Sequence, residues 1–169
     1  VALLLFAGAA LAVVTTPDAG SAPAVRGEGR AGREASEAAR SAASAIDSAL
    51  HHAEAAARDT SAGLAQKSRK ASRRAADAMR NAHRKIAAAQ LTAKGEGKQF
   101  ALSAEEASRR AVQATDVAAD KADLAVQSGA RAGKEDATAA AQEARAALRQ
   151  AKLAATEAAT AANEAAKRH

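Results

Sequence analysis

The chain has no cysteine, no tryptophan and no tyrosine, and only two prolines and two phenylalanines in 169 residues. Each absence excludes something. Without cysteine there is no disulfide scaffold, no thiol chemistry and no cysteine-ligated zinc site. With only two phenylalanines, neither near a basic cluster, there is no stacking platform for nucleic-acid bases. The prolines, Pro17 and Pro23, lie near the start, so nothing from Val25 to His169 forbids a helix. Large apolar side chains are also scarce. The 48% of hydrophobic letters contains 58 alanines and only 23 larger residues. Six of those are Val1, Leu3, Leu4, Leu5, Phe6 and Leu11, which leaves 17 for the remaining chain. A buried large apolar side chain contributes roughly 1.5–3 kcal/mol and a methyl group far less. Sandwiches, doubly wound sheets and barrels need runs of Val, Ile, Leu and aromatics, and are excluded in practice.

Helix or disorder remains. Alanine is the best helix former, and the Lys, Arg, Glu and Gln that accompany it follow closely. The expected fold class is all-α. The architecture is an elongated Ala-rich helical hairpin, or a three- to four-helix bundle if the glycines become turns, with a flexible N-terminal tail. A chain that orders only on a partner is the third alternative.

Residues Val1 to Val14 carry no charged or polar side chain. The run is shorter than the ~18–20 residues of a spanning helix and suits the apolar segment of a secretory signal peptide. Ala10-Leu11-Ala12 closes it with a small-x-small pattern. Residues 1–12 are therefore expected to be an N-terminally incomplete signal peptide, cleaved after Ala12, with Ala22-Pro23-Ala24 as the second choice. The implied location is secreted or cell-surface. The last residues, Ala165 to His169, form no hydrophobic tail of the lipid-anchor type. Residues 13–32 hold both prolines and Gly20, Gly27, Gly29 and Gly32, and are expected to be a flexible tail.

The Ala-rich helical region is expected over 33–169. A stripe runs through Ala35, Ala39, Ala43, Ile46, Leu50, Ala53, Ala57, Thr60, Leu64, Lys67, Ala71, Ala75, Ala78, Ala82, Ile86, Ala89 and Ala93 in steps of three or four. Unbroken, it predicts a helix roughly 90 Å long, with Gly63 as its weak point. Lys94 to Lys98, with Gly95 and Gly97, is the expected break. Ser103 and Glu106 have capping-box spacing for the next helix. Its stripe is Ala104, Ala107, Ala111, Ala114, Ala118, Ala122 and Ala125, interrupted at Gly129 and Gly133. The last stripe, Ala140, Ala144, Ala147, Ala151, Ala154, Ala158, Ala161 and Ala165, has heptad spacing, as in a coiled coil.

The strongest local signal is cationic. Lys67, Arg69, Lys70, Arg73, Arg74, Arg80, Arg84 and Lys85 are opposed between 67 and 85 only by Asp77, so this window outweighs the whole chain's net charge of +6. On a helix, Arg69, Arg73, Arg80 and Arg84 share one strip and Lys67, Lys70, Arg74 and Lys85 an adjoining one. Leu64, Ala71, Ala75, Ala78, Ala82 and Ile86 lie on the other side. These eight residues are the candidate polyanion-binding face, for a sulfated glycan or an anionic membrane surface. The alternative is a solvated face, or one paired with acidic faces elsewhere in a bundle. No nucleic-acid partner is expected, because no base-reading fold is present. Self-association, or association with other helical surface proteins, is the remaining expected partnership.

No catalytic, cofactor or metal site is expected. Adjacent His51 and His52 sit about 100° apart on a helix and cannot chelate as an i, i+4 pair would. His83 and His169 have no ligand spacing around them. Glu105-Glu106, and Asp116, Asp120 and Asp123, resemble solvent-side charges and i, i+4 partners rather than a desolvated acid pair. Gly95-Glu96-Gly97-Lys98 does not have phosphate-loop spacing. No serine or threonine lies in a nucleophile-elbow motif. Asn81 and Asn163 lack the glycosylation acceptor pattern, while Thr15 and Thr16 beside Pro17 suit O-linked sugar.

Leader, tail and long Ala-rich amphipathic helices, especially Ala137 to Lys167, together make the chain resemble the alanine-rich surface-coat proteins of trypanosomes. The resemblance is one of composition and layout, with no diagnostic motif. It implies an elongated helical bundle held on the cell surface by a glycolipid anchor, with a protective or receptor-like role and no catalysis. This chain differs in lacking cysteines and an anchor signal, and in being basic. Desiccation-type hydrophilic helical proteins share the composition, but their eleven-residue repeat is not evident here.

Overall fold

The computed structural model of the chain describes residues 22–59, 61–131 and 133–168. They form a four-helix bundle: α1 (Ala22–Arg58), α2 (Ala62–Thr92), α3 (Gly95–Arg131) and α4 (Lys134–Lys167). At 1.5 Å per residue each helix is roughly 45–55 Å long. Connections of two or three residues force each helix to run antiparallel to the one before it. Each helix packs on its sequence neighbours, α1 also closes on α4, and the diagonal pairs barely touch. Of the architectures that the composition allowed, the chain adopts the bundle, because the stripe of 33–93 is folded back on itself instead of running straight.

The turns differ from expectation in position. The first helix ends at Arg58, ahead of Gly63. Asp59 Oδ1 accepts the amide of Ser61 at 3.1 Å, and Ser61 O accepts Leu64 N and Ala65 N. This Asx-type turn needs no glycine. Gly63 instead lies inside α2. The second break falls at Ala93-Lys94 and α3 already starts at Gly95, whose φ of +53° suits glycine. The expected cap at Ser103 is therefore inside α3, with its hydroxyl donated to Gln99 O at 3.1 Å. At the third turn Gly133 N donates to Ser128 O at 3.2 Å, a Schellman-type closure, and Gly133 itself has φ +111°.

The signal peptide expected at 1–12, and 13–21 of the expected tail, lie outside the described residues. Positions 22–32 are a correction: they belong to α1, which starts eleven residues before the expected Arg33. Pro23 sits in the first turn, where its missing N–H costs nothing. Gly32, which argued for a loop, lets α1 and α4 approach. A Cβ there would meet the Ala166 Cβ at 3.1 Å. At Gly32 docking against α4 offsets the weak helix propensity of glycine.

The buried seams have a strict heptad period. They are Ala35, Ala39, Ala42, Ile46, Ala49, Ala53 and Ala56 on α1, and Ser68, Ser72, Ala75, Met79, Ala82, Ile86 and Ala89 on α2. On α3 they run from Ala101 through Ala104, Ser108, Ala111, Thr115, Ala118 and Ala122 to Ala125. On α4 they run from Ala137 through Ala141, Ala144, Leu148, Ala151, Ala155, Ala158 and Ala162 to Ala165. The predicted stripes touched these seams but drifted. Ala43, Leu50, Ala78, Ala140, Ala154 and Ala161 are only partly buried, while Ala42, Ala49, Met79, Ala141, Ala155 and Ala162 are inside. On α1 and α2 successive steps of four rotated the predicted stripe away from the 3.5-residue seam. On α4 the predicted stripe had the heptad period and shared Ala144, Ala151, Ala158 and Ala165 with the seam, but took the neighbouring residue at the alternate positions.

The interior is nearly all methyl groups. Ile46, Met79 and Leu148, from three different helices, meet small residues including Ala111 and Ala118 of the fourth in one central cluster. Thr115 is buried there too, and its hydroxyl is satisfied by Ala111 O and Val112 O at 3.0 and 2.9 Å. Ser72 Oγ, equally buried, has no hydrogen-bond partner among the described residues. Toward one end Ile86 packs among Ala35, Ala39, Ala104, Ala107 and Ala158. A gap of about 10 Å³ beside it, lined by Gly32, Ala35 and Ile86 among others, is at most the size of one water.

Three substitutions test this packing. Leu148→Ala removes one of the few large buried side chains and should lower the unfolding free energy by about 3 kcal/mol. Gly29→Ala, where a Cβ would meet nothing within 4 Å, should raise it by about 0.5–1 kcal/mol. Gly133→Ala, at a positive φ, should lower it by about 1–3 kcal/mol. Urea denaturation followed by helical circular dichroism ranks the three.

Candidate functional site

All eight basic candidates lie on α2, but the bundle divides them between two grooves. Arg69, Arg73 and Arg80 face α3. Arg69 Nε and Arg73 Nη2 reach the two oxygens of Asp123 at 2.7 and 2.5 Å. Arg80 reaches Asp116 at 2.6 Å and Asp77 of its own helix at 3.0 Å. This strip is a register device between two helices. Asp116 and Asp123, read from sequence as solvent-side charges, are its other half. The signal was present in the spacing: Arg73 and Arg80 are seven apart, as are Asp123 and Asp116 on an antiparallel helix.

The adjoining strip has the opposite character. Lys67, Lys70 and Arg74 form no ion pair among the described residues. They line an open groove of about 220 Å³ between α1 and α2, together with Ala71 of α2 and Ala45, Ser48 and His52 of α1. The helix rise places the three cations along roughly 10 Å of axis, so neighbouring charges lie within about one Debye length at physiological salt. Their fields add, and none of the groove-lining residues is acidic. Ala45 and Ala71 keep the floor low, while Ser48 and His52 offer a hydroxyl and a ring N–H from the opposite wall. Lys85 belongs to the same strip but lies about three turns beyond Arg74 along α2, near Glu34. The Glu34 carboxyl is held below its usual range by the hydrogen bond and charge of Arg30 and, to a lesser degree, by Lys85. Arg84 lies beside Arg80 and His83 in the α2–α3 groove, with Val112 opposite.

Other polar candidates have structural partners. His83 Nδ1 is 2.8 Å from Ser108 Oγ, whose hydroxyl donates to Glu105 O at 2.7 Å. The single hydroxyl proton is thereby used, so His83 donates through Nδ1. Glu105 accepts from Arg109 at 2.9 Å, Glu96 pairs with Arg168, and Lys121 pairs with Glu143. Arg168 also lies over the Phe100 ring, 4.7 Å from its centroid. His51 and His52 are edge to face with ring centroids 5.7 Å apart. Among the described residues no group of three or more His, Asp or Glu could hold a metal ion. No described helix is long and apolar enough to cross a membrane. His169 lies outside the described residues.

Comparison with family models, with curated proteins and with solved structures found no match to this chain.

The division of the basic face has a thermodynamic consequence. Asp123→Asn strips two cross-helix pairs and should destabilise the bundle by about 1 kcal/mol. Lys70→Gln and Arg74→Gln remove like-charge repulsion and no ion pair, and should leave stability within about 0.5 kcal/mol of the parent. Urea melts of the three variants at low and high salt check this. The Asp123→Asn loss should shrink as salt rises, and any small gain from Lys70→Gln or Arg74→Gln should shrink with it.

Proposed function

We propose that this protein is a non-catalytic helical bundle of the secreted or cell-surface coat type, which acts through its shape and outer surface. The observation that carries this reading is the continuous methyl-filled seam along all four helices. It makes a closed rod roughly two to three times longer than it is wide, with connections confined to its two ends. Such an interior is used for holding four helices together and leaves the outer faces to meet the surroundings. The grooves between helices are shallow and open, unlike the concave, largely apolar pockets in which enzymes desolvate substrates. The apolar residues 1–12 support export, and the resemblance to trypanosome coat proteins supports a protective or receptor-like role.

An antibody raised against the bundle tests location directly. Staining of intact source cells, abolished by brief external protease, is the expected result. Staining only after permeabilisation would overturn the coat reading.

A second reading is favoured by one specific feature, the unpaired cations of the α1–α2 groove. Under it the same bundle holds a polyanion on the basic face of α2 between Lys67 and Lys85.

A further inference from the structure

Resting on that second reading, we infer that the α1–α2 groove is a discrete site for a sulfated glycan chain, with Lys67, Lys70 and Arg74 as its sulfate-binding residues. The three cations rise along the helix in steps of roughly 4.5 and 6 Å, so they meet successive anionic groups of a chain laid along the groove. Ser48 and His52 supply donors from the facing helix. The alanine floor at Ala45 and Ala71 gives such a chain room to lie between the two walls without displacing a large side chain.

The alternatives fit this surface less well. A membrane-binding helix face needs large apolar residues beside its cations so that it can enter the headgroup region. Among the described residues the exposed large apolar side chains are Leu91, Leu102, Val117, Leu124 and Leu153, which lie near the end of α2 and on α3 and α4. None of them lines this groove. A single-stranded nucleic acid gains its affinity from aromatic stacking as well as charge, and the groove has no aromatic beyond a histidine. A sulfated glycan asks only for cations and hydroxyl-compatible donors at short intervals. Arg69, Arg73 and Arg80 are excluded from the site because α3's carboxylates already occupy them.

The test uses the full chain and heparin as the probe, by calorimetry at 50 and 200 mM salt. Three phosphate-like contacts predict an affinity that falls roughly 20- to 40-fold over that range. The triple variant Lys67→Gln/Lys70→Gln/Arg74→Gln should bind at least about 30-fold more weakly than the parent. A control triple, Arg84→Gln/Lys98→Gln/Arg131→Gln, removes equal charge elsewhere and should lose less than about 3-fold. Circular dichroism confirms that both triples keep the parent's helicity. Equal losses in the two triples would overturn the groove assignment and leave the general polyanion reading intact. No binding of heparin to the parent would overturn both. Vesicles of 70% neutral and 30% anionic lipid, or a single-stranded oligonucleotide, binding as tightly as heparin would overturn the assignment to a sulfated glycan.

Discussion

An alanine side chain ends one carbon from the backbone, so two helices that meet through alanines come closer than leucine-packed helices can. Most of this structure follows from that. Close approach brings backbone against backbone, and dispersion contacts accumulate along the whole seam although each is small. The hydrophobic contribution of one buried methyl is modest, so the fold needs many of them in sequence. Four helices of 31 to 37 residues supply that length. The same constraint explains why a glycine occupies position 32, where α1 meets Ala166, and position 97, where a Cβ would approach Ala165 O at 3.4 Å. At such contacts even a methyl group is close to the limit.

A uniform seam has a weakness: it does not encode its own register. If α4 slid by one heptad against α1, most alanines would meet alanines again. Registry must come from the exceptions. Ile46, Met79 and Leu148 are the large side chains of the central cluster and have room at one level only. The charged flanks then act as a second ruler. Arg73 and Arg80 are matched to Asp123 and Asp116 on α3. Arg110 and Lys121 are matched to Glu157 and Glu143 across the α3–α4 seam. Asp47 and Glu54 are matched to Lys152 and Arg149 across the α1–α4 seam. Each pair is worth little by itself at a solvated surface. Together they penalise every shifted alignment, which is the use of charge best attested in helical assemblies.

This also decides what could be read from the residues alone. Composition dictated the all-α class, because alanine leaves no other way to bury surface. The break near Gly95 was legible because a positive φ demanded glycine. The first turn was not, because Asp59 and Ser61 build it from a side-chain hydrogen bond with no glycine signal. The face of each helix was legible to within one residue. With alanine at 42 and 43, or at 140 and 141, the letters themselves do not separate the inner position from its neighbour. The heptad period does so only once the helices are known to pack. The helical state of Gly32 was hidden for the same reason: its contact is Ala166 of α4, more than 130 residues away in sequence. Within the basic cluster, each residue was visible but its partner was not. Which arginines are spent on α3 depends on the antiparallel alignment of Asp116 and Asp123.

The charge distribution around the bundle is therefore uneven in a way that stability alone does not require. Three of the four seams carry cross-helix ion pairs that fix alignment. Beside the seam between α1 and α2, the cations Lys67, Lys70 and Arg74 stand without such pairs. Placing three like charges within a few turns of one helix costs free energy at low salt and contributes nothing to register. A single carboxylate on α1 at Ser48, an exposed position of the groove wall, would reduce that cost. The arrangement makes physical sense if the compensating charge arrives from outside. The anion then gains the full field of all three cations, because no internal carboxylate competes for them.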